Sequence, residues 1–244
     1  MTTRRADLVL VERGLFESRA KARAAIEAGG VVADGVGVVR AAQLVSVNAE
    51  IVAEPAHPWV GRGGLKLDHA LGLWPVAVRD TVVLDVGAST GGFTEVCLAH
   101  GAARVFAVDV GHDQLHPSLR ADPSVVDLPG QDARGLTAEL IPDPPTLIVC
   151  DASFIGLAKV LTAALALAAP DAQLVALVKP QFEVGPEHVG KGGIVRDEAV
   201  RADALRTVAD WIETMGWTVR ATADSPILGG EGAREYLLWA VKRS

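Results

Sequence analysis

The chain has 244 residues, half of them hydrophobic, with 23 Lys and Arg against 30 Asp and Glu for a net charge of −7. That length holds one good-sized core or a typical domain plus a small one, and the acidic balance excludes a protein coated in positive charge for nucleic acid. Cys97 and Cys150 form no C-x-x-C pair, so a disulfide framework is excluded and both read as small buried hydrophobes of a reducing compartment. The N-terminal arginines lack an apolar run behind them, and the longest apolar stretch, 160–169, is too short to span a bilayer, so a soluble cytoplasmic protein is expected.

Charge is unevenly spread. Residues 1–23 carry six basic side chains (Arg4, Arg5, Arg13, Arg19, Lys21, Arg23) against three acids, whereas the chain beyond residue 56 carries 16 against 23. A small basic face on an acidic body suits local phosphate contact. Leu8-Val9-Leu10 and the run Ala20 to Ile26 predict two short helices, with Ser18 capping the second and Gly29-Gly30 ending it. Asp34-Gly35, between Val31-Val32 and Val36 to Val39, predicts a hairpin, and Ile51-Val52-Ala53 a closing strand. Leu10 to Leu15, Ser18-Arg19-Ala20-Lys21-Ala22, Ile26, Gly29 to Val32 and Asp34-Gly35 together resemble the S-four RNA-binding domain. That resemblance implies RNA contact through Arg4, Arg5, Arg13, Ser18, Arg19, Lys21 and Arg23, joined by Arg62 further on.

Pro55 and Pro58 bias the next stretch toward extended backbone. The expected boundaries are an αβ module over 1–56, a linker over 57–61 and a second domain over 62–244, with Trp59 read as an ordinary linker residue ahead of a junction contact. Leu65, His69 and Leu73 have helical spacing, which puts Lys66 on a helix ahead of the first strand. Val82 to Val86 then read as a buried parallel strand running into Gly87-Ala88-Ser89-Thr90-Gly91-Gly92-Phe93. The spacing departs from the G-x-G-x-x-G of dinucleotide sites and is closer to the acid-x-Gly-x-x-x-Gly turn of S-adenosylmethionine (SAM) enzymes, beginning at Asp85. Asp109 closes the following strand, where a carboxylate suits ribose hydroxyls of either cofactor. Asp132, after a strand at 125–128, stands where related folds hold adenine. His112 and His116 could share a helical face, but a third ligand is missing and no metal is expected.

A strand at 146–151 ends in Asp151, a helix is expected over 157–168, and a strand at 173–178 ends in Lys179. Residues 185–193 read as a loop over that edge. A helix over 197–215 and strands at 217–223 and 236–241 complete an alternating βα order with a final hairpin, and Glu235 stands at the entrance to the last strand. Ligands of open α/β sheets bind at the carboxyl ends of the strands, so Asp85, Asp109, Asp151 and Lys179 are expected to converge there. Two lysines and two acids beside a SAM site fit methyl transfer to a sugar hydroxyl, because a lysine beside a second cation in a buried setting can take the hydroxyl proton.

Lys66, Asp151, Lys179 and Glu235 match in order the K-D-K-E tetrad of the FtsJ-like ribose 2′-O-methyltransferases. Arg62 to Leu67, Asp85 to Thr94, Leu177 to Glu183 and Glu235-Tyr236-Leu237 resemble the haemolysin A-like (TlyA) branch, which also carries an S-four domain. The resemblance implies a Rossmann-like SAM-dependent domain with a mostly parallel seven-stranded sheet. It also implies catalysis by the tetrad and methylation of cytidine 2′-hydroxyls in 16S or 23S ribosomal RNA. Asp85, Gly87, Ala88, Ser89, Gly91, Gly92, Phe93, Asp109 and Asp132 are the expected cofactor residues. Expected partners are ribosomal RNA and ribosomal subunits, with no membrane, no metal and no second copy of the chain. Gly61 stands where the branch carries Ser, and Ala233 near where it carries Asn. The competing readings are an RNA-binding protein with an inactive α/β domain, an NAD-dependent oxidoreductase, and a secreted pore.

Overall fold

Two separately packed units divide the chain between Pro58 and Trp59, in a computed structural model that describes residues 2–229 and 232–243. In the first, strand β1 (Thr3–Arg5) leads into helix α1 (Ala6–Glu12), and helix α2 (Arg19–Glu27) starts where the extended Ser18 accepts a hydrogen bond from the Lys21 amide. Strands β2 (Val31–Ala33) and β3 (Val36–Gly37) form the expected hairpin. Asp34 and Gly35 both sit at positive φ (49° and 76°), as a two-residue turn of that hand requires. Strand β4 (Leu44–Ser46) pairs antiparallel with β1, and β5 (Ile51–Ala53) pairs with the free edge of β2. Val9 and Leu10 of α1 and Ala22, Ala25 and Ile26 of α2 bury against Val31 and Val45 as one core.

The six basic side chains of residues 1–23 all have internal partners. Arg4 pairs with Glu12 (2.7 Å), Lys21 with Glu17 (2.6 Å) and Arg23 with Glu27 (2.8 Å), while Arg13 donates to the Ala49 carbonyl (2.6 Å). Arg5 and Arg19 both bond to Asp7, at 2.9 and 2.8 Å. Asp7 is buried, and the hydrogen bond from Arg5 leads the interactions that hold its carboxyl down at about 2. A carboxylate depressed in the folded state adds stability above its unfolded value, and that contribution is lost as pH falls through the folded value. Asp7→Ala is therefore expected to weaken this unit at pH 7 by about 2 kcal/mol, the worth of a charged hydrogen bond, and to have little effect at pH 2. Hydrogen exchange of the α1 and α2 amides in the whole chain measures it; unchanged protection at pH 7 would refute the role.

The second unit is an α/β sheet. Helix α3 (Gly63–Leu73) precedes β6 (Val82–Val86), α4 (Gly92–Ala99), β7 (Arg104–Asp109), α5 (Pro117–Arg120) and β8 (Val125–Pro129). Then come β9 (Leu147–Cys150), α6 (Leu157–Val160), α7 (Thr162–Leu167), β10 (Gln173–Val178), α8 (Pro180–Glu183) and α9 (Glu198–Thr214), before β11 (Trp217–Asp224) and β12 (Tyr236–Lys242). The strand order is β11-β12-β10-β9-β6-β7-β8, with β12 alone running antiparallel to its neighbours. Successive residues of the apolar strands divide between the two faces. Leu84, Val86, Ile148 and Leu174 pack on one face with Leu161 and Trp217. Val83, Val149 and Val175 pack on the other with Leu67, Phe93 and Val96.

The helix expected over 157–168 is instead two, α6 and α7, parted at Leu161. The Thr162 hydroxyl donates back to the Ala158 carbonyl at 2.6 Å, a bond that bends helices. The loop expected at 185–193 contains a 3-10 turn at Pro186–His188 and a bridge between Gly190 and Ile194.

Candidate active site

Parallel pairing brings the carboxyl ends of β6, β7, β9 and β10 to one edge, so Gly87, Asp109, Asp151 and Lys179 emerge side by side. The reversed strand β12 adds the fifth group. Its first residue, Tyr236, pairs with Val178, so Glu235 arrives at the same edge as Lys179. Lys66 comes from the opposite direction, on α3. Trp59 can pack on the start of that helix because position 64 lacks a side chain: a Cβ there would lie 2.4 Å from the Trp59 ring. Trp59 thus packs inside the second unit.

The four tetrad side chains meet. Lys66 Nζ donates to Glu235 Oε2 at 2.6 Å and lies 3.7 Å from Asp151 Oδ2. Lys179 Nζ lies 2.7 Å from Asp151 Oδ1 and donates to the Asp151 carbonyl (2.9 Å) and to Ser153 Oγ (2.7 Å). Both lysines are 6 % exposed and Glu235 is 5 % exposed, so the charges are held by one another rather than by water. Asp151 bridges the two ammonium groups.

Two cavities open at this edge. The larger, about 520 Å³, is lined by Asp109 and Asp132 and by apolar side chains including Val108, Val110, Ala133 and Ile155. The smaller, about 340 Å³, holds Lys66, Asp151, Lys179 and Glu235, with Arg62, Ala88, Gly92 and Phe93. Gly87, Ser89, Asp151 and Ser153 line both, so the cavities adjoin at those residues. Gly87 has φ +81°, and a Cβ on it would stand 2.8 Å from Ala152 Cα; only glycine lets the two strand-end loops approach this closely.

The cofactor residues read from the sequence divide in the structure. Gly87, Ser89, Asp109 and Asp132 face the larger cavity, and Gly87, Ala88, Ser89, Gly92 and Phe93 face the smaller. Asp109 accepts from the Ser89 and Gly111 amides (2.8 and 2.7 Å), which ties the glycine loop to the end of β7. Asp132 binds Arg134, whose hydrogen bond lowers its carboxyl to about 2, and it caps a 3-10 turn at Ala133–Gly135. Asp85 and Gly91 are not among the residues that line either cavity. Gly91 is the left-handed residue ahead of α4, and Asp85 is fully buried beneath the loop, where Oδ2 accepts from Thr94 Oγ1 at 2.7 Å. Burial pushes the Asp85 carboxyl up to about 7.

Sequence reasoning missed Ser153 and Phe154. Phe154 is 90 % exposed with φ +66°, and its ring centroid lies 5.3 Å from that of Phe182. The apolar context of Asp151-Ala152-Ser153-Phe154-Ile155 hides both, since nothing in it separates a rim residue from a core one. Arg62 donates to the Leu228 carbonyl at 2.9 Å, on the loop that leads to Glu235. A Cβ at Gly61 would meet Thr90 Oγ1 at 2.5 Å, and Ala233, 3 % exposed, accepts from the Gly229 amide. Small residues at both places fit this packing. Among the described residues no group of three or more His, Cys, Asp or Glu is placed to hold a metal ion, and no helix is long and apolar enough to cross a membrane.

The site fits a nucleoside-bearing sulfonium donor on its own terms. A carboxylate closes β7, apolar side chains share the larger cavity with it, and the glycine loop gives Gly87 and Ser89 to both cavities.

Comparison with known proteins gives the same assignment. The profile of the FtsJ-like methyltransferases matches residues 59–242. A Mycobacterium tuberculosis protein described as 16S/23S rRNA (cytidine-2′-O)-methyltransferase TlyA is 48 % identical over 237 residues, covering 96 % of this chain and 88 % of that one. Hemolysin A of Brachyspira hyodysenteriae is 38 % identical, covering 96 % of this chain and 98 % of its own. The solved structure of a candidate hemolysin from Streptococcus thermophilus superposes with a TM-score of 0.78 at 37 % identity, over 100 % of this chain and 90 % of that one. With a profile match over most of its length and relatives of this identity, the chain belongs to the FtsJ-like methyltransferase family, in its TlyA branch.

Proposed function

We propose that the chain methylates the 2′-hydroxyl of a cytidine ribose in ribosomal RNA, taking the methyl group from SAM. The observation that carries this reading is the meeting of the two cavities at Gly87, Ser89, Asp151 and Ser153, one suited to a nucleoside and the other holding the two lysines and two carboxylates. A ribose hydroxyl must lose its proton as the methyl arrives, so a proton acceptor beside it is what this transfer needs; a ring nitrogen with a lone pair needs none. The bound cofactor supplies an electrophilic methyl on a sulfonium. Asp109 would offer carboxylate oxygens to its ribose diol, Val110 and Ile155 would hold its base, and the loop 87–92 would receive its amino-acid tail. Lys179 takes the 2′-hydroxyl proton. Lys66, clamped by Glu235, stays cationic, and Asp151 holds both amines in register.

Cytidine and the two subunit RNAs are inferred from the M. tuberculosis relative's description. Residues 1–56 serve as the RNA-binding domain and residues 62–244 as the catalytic one. Arg4, Lys21 and Arg23 sit in exposed, solvent-screened ion pairs, so exchanging their carboxylates for phosphates costs little. Arg5 and Arg19 contribute their remaining donors while holding Asp7, and Arg13, Ser18 and Arg62 add further contacts. The enzyme works as a monomer in the cytoplasm. Tritiated SAM incubated with unmodified ribosomal subunits and this protein is expected to label 2′-O-methylcytidine after nuclease digestion. Label found in a base, or no label at all, would overturn the assignment.

A further inference from the structure

Among the described residues Lys179 Nζ has three polar neighbours, and they are not alike. Asp151 Oδ1 at 2.7 Å and the Asp151 carbonyl at 2.9 Å can only accept. Ser153 Oγ, at 2.7 Å, can either accept or donate. An ammonium donates to the Asp151 carbonyl and to Ser153 Oγ and stands beside the Asp151 Oδ1 charge. A neutral amine has two N–H groups and one lone pair, and a lone pair aimed at a carboxylate or a carbonyl is repelled. Of these three neighbours, only the Ser153 hydroxyl can donate to that lone pair. Resting on the 2′-hydroxyl reading above, we propose that Ser153 is a catalytic proton relay, its hydroxyl standing between the acceptor 2′-oxygen and Lys179 Nζ.

Placement supports this. Ser153 is exposed, unlike the lysine behind it, and it lines both cavities, where the methyl and the accepting oxygen have to meet. In the step, the 2′-O–H bond breaks and its proton passes to Ser153 Oγ. The Ser153 hydroxyl proton passes to Lys179 Nζ, which becomes an ammonium. The 2′-oxygen forms its bond to the methyl, and the electron pair of the broken C–S bond stays on sulfur. The positive charge thus leaves sulfur and appears on Lys179, which returns its proton to water after product release. Asp151 keeps its two contacts throughout, so only the Ser153 hydrogen bond reverses direction.

The test uses the full chain, SAM and ribosomal subunits, with Ser153→Ala and Ser153→Thr. Ser153→Ala is expected to slow single-turnover methyl transfer about a hundredfold, the scale of a lost acid–base contact, without weakening SAM binding by calorimetry. Ser153→Thr keeps the hydroxyl and is expected to recover most of the rate. Measured against the fraction of D₂O, the wild-type rate is expected to give a bowed curve, since two protons move together, and the Ala variant a straight one. In the ligand-free protein the Lys179 ammonium protons are expected to exchange with water faster in Ser153→Ala than in wild type or Ser153→Thr. An Ala variant as fast as wild type, or a straight or flat wild-type curve, overturns the relay while leaving the methyltransferase reading in place. A wild-type protein that transfers no methyl to ribose overturns both.

Discussion

Lys179→Arg is expected to bind SAM as wild type does and to methylate ribosomal RNA at least about 10³-fold more slowly, within the range of a lost general base. Arginine keeps the positive charge facing Asp151 Oδ1, so neither partner is left buried and alone. What it cannot do is lose a proton near neutral pH. The substitution therefore separates two roles that Lys179→Ala would mix: holding charge in the buried cluster, and accepting the hydroxyl proton. Lys66→Arg provides the contrast. Lys66 is gripped by Glu235 at 2.6 Å and is assigned a permanent charge, so a guanidinium there is expected to cost about tenfold or less, mainly through geometry. Single-turnover rates for the two variants, with SAM binding measured by calorimetry, decide the matter. Equal losses at both positions would remove the distinction between base and fixed cation.

How much of this was legible beforehand depended on whether a feature is local. The buried strands show because β6, β7, β9 and β10 are short, mostly apolar runs, and their polar ends show because Asp109, Asp151 and Lys179 stand out against them. The hairpin at Asp34-Gly35 and the cap at Ser18 depend on a few adjacent residues and are equally plain. What stayed hidden involves pairing across distance. Strand β1 is three exposed residues with no alternation, and it exists because Thr3 to Arg5 meet Ser46 to Leu44. The net +3 of residues 1–23 reads as a free basic face, yet each side chain turned out to have a partner, two of them on one buried carboxylate. Ser153 gives no sign in the sequence, because its importance comes from Lys179, 26 residues away. Asp85 is the instructive case: its position before the glycine turn points to the cofactor, but the alternation of a parallel strand turns it inward, toward Thr94 of α4.

That inward turn has a measurable consequence. Asp85 lies mid-sheet between Ala107 of β7 and Val149 of β9, with no exposed surface. The Thr94 hydroxyl satisfies Oδ2, while Oδ1 is buried with no hydrogen-bond partner among the described residues. Removal from water is the largest influence and raises the carboxyl from 3.8 to about 7; the Thr94 hydrogen bond opposes this, and the charges of Asp151 and Asp109 add to it. Because the folded value lies above the unfolded one, the associated stability is fully present below pH 4 and is lost as pH rises toward 7. A difference of about three units corresponds to roughly 4 kcal/mol. Asp85→Asn, which keeps the shape and cannot ionise, is therefore expected to melt at a higher temperature than wild type at pH 8 and at a similar or slightly lower one at pH 5. The second part follows because its new N–H₂ group finds no acceptor where Oδ1 now lies. Calorimetric melts of the ligand-free protein across that interval check the crossing. If wild type and Asp85→Asn lose stability in parallel from pH 5 to pH 8, Asp85 is ionised in the fold and is being held by something other than Thr94. If the curves cross, the acid beneath the glycine loop is a neutral one. It would then hold the start of α4 to β6 by a hydrogen bond, with no need of a counter-ion beside the charged groups above it.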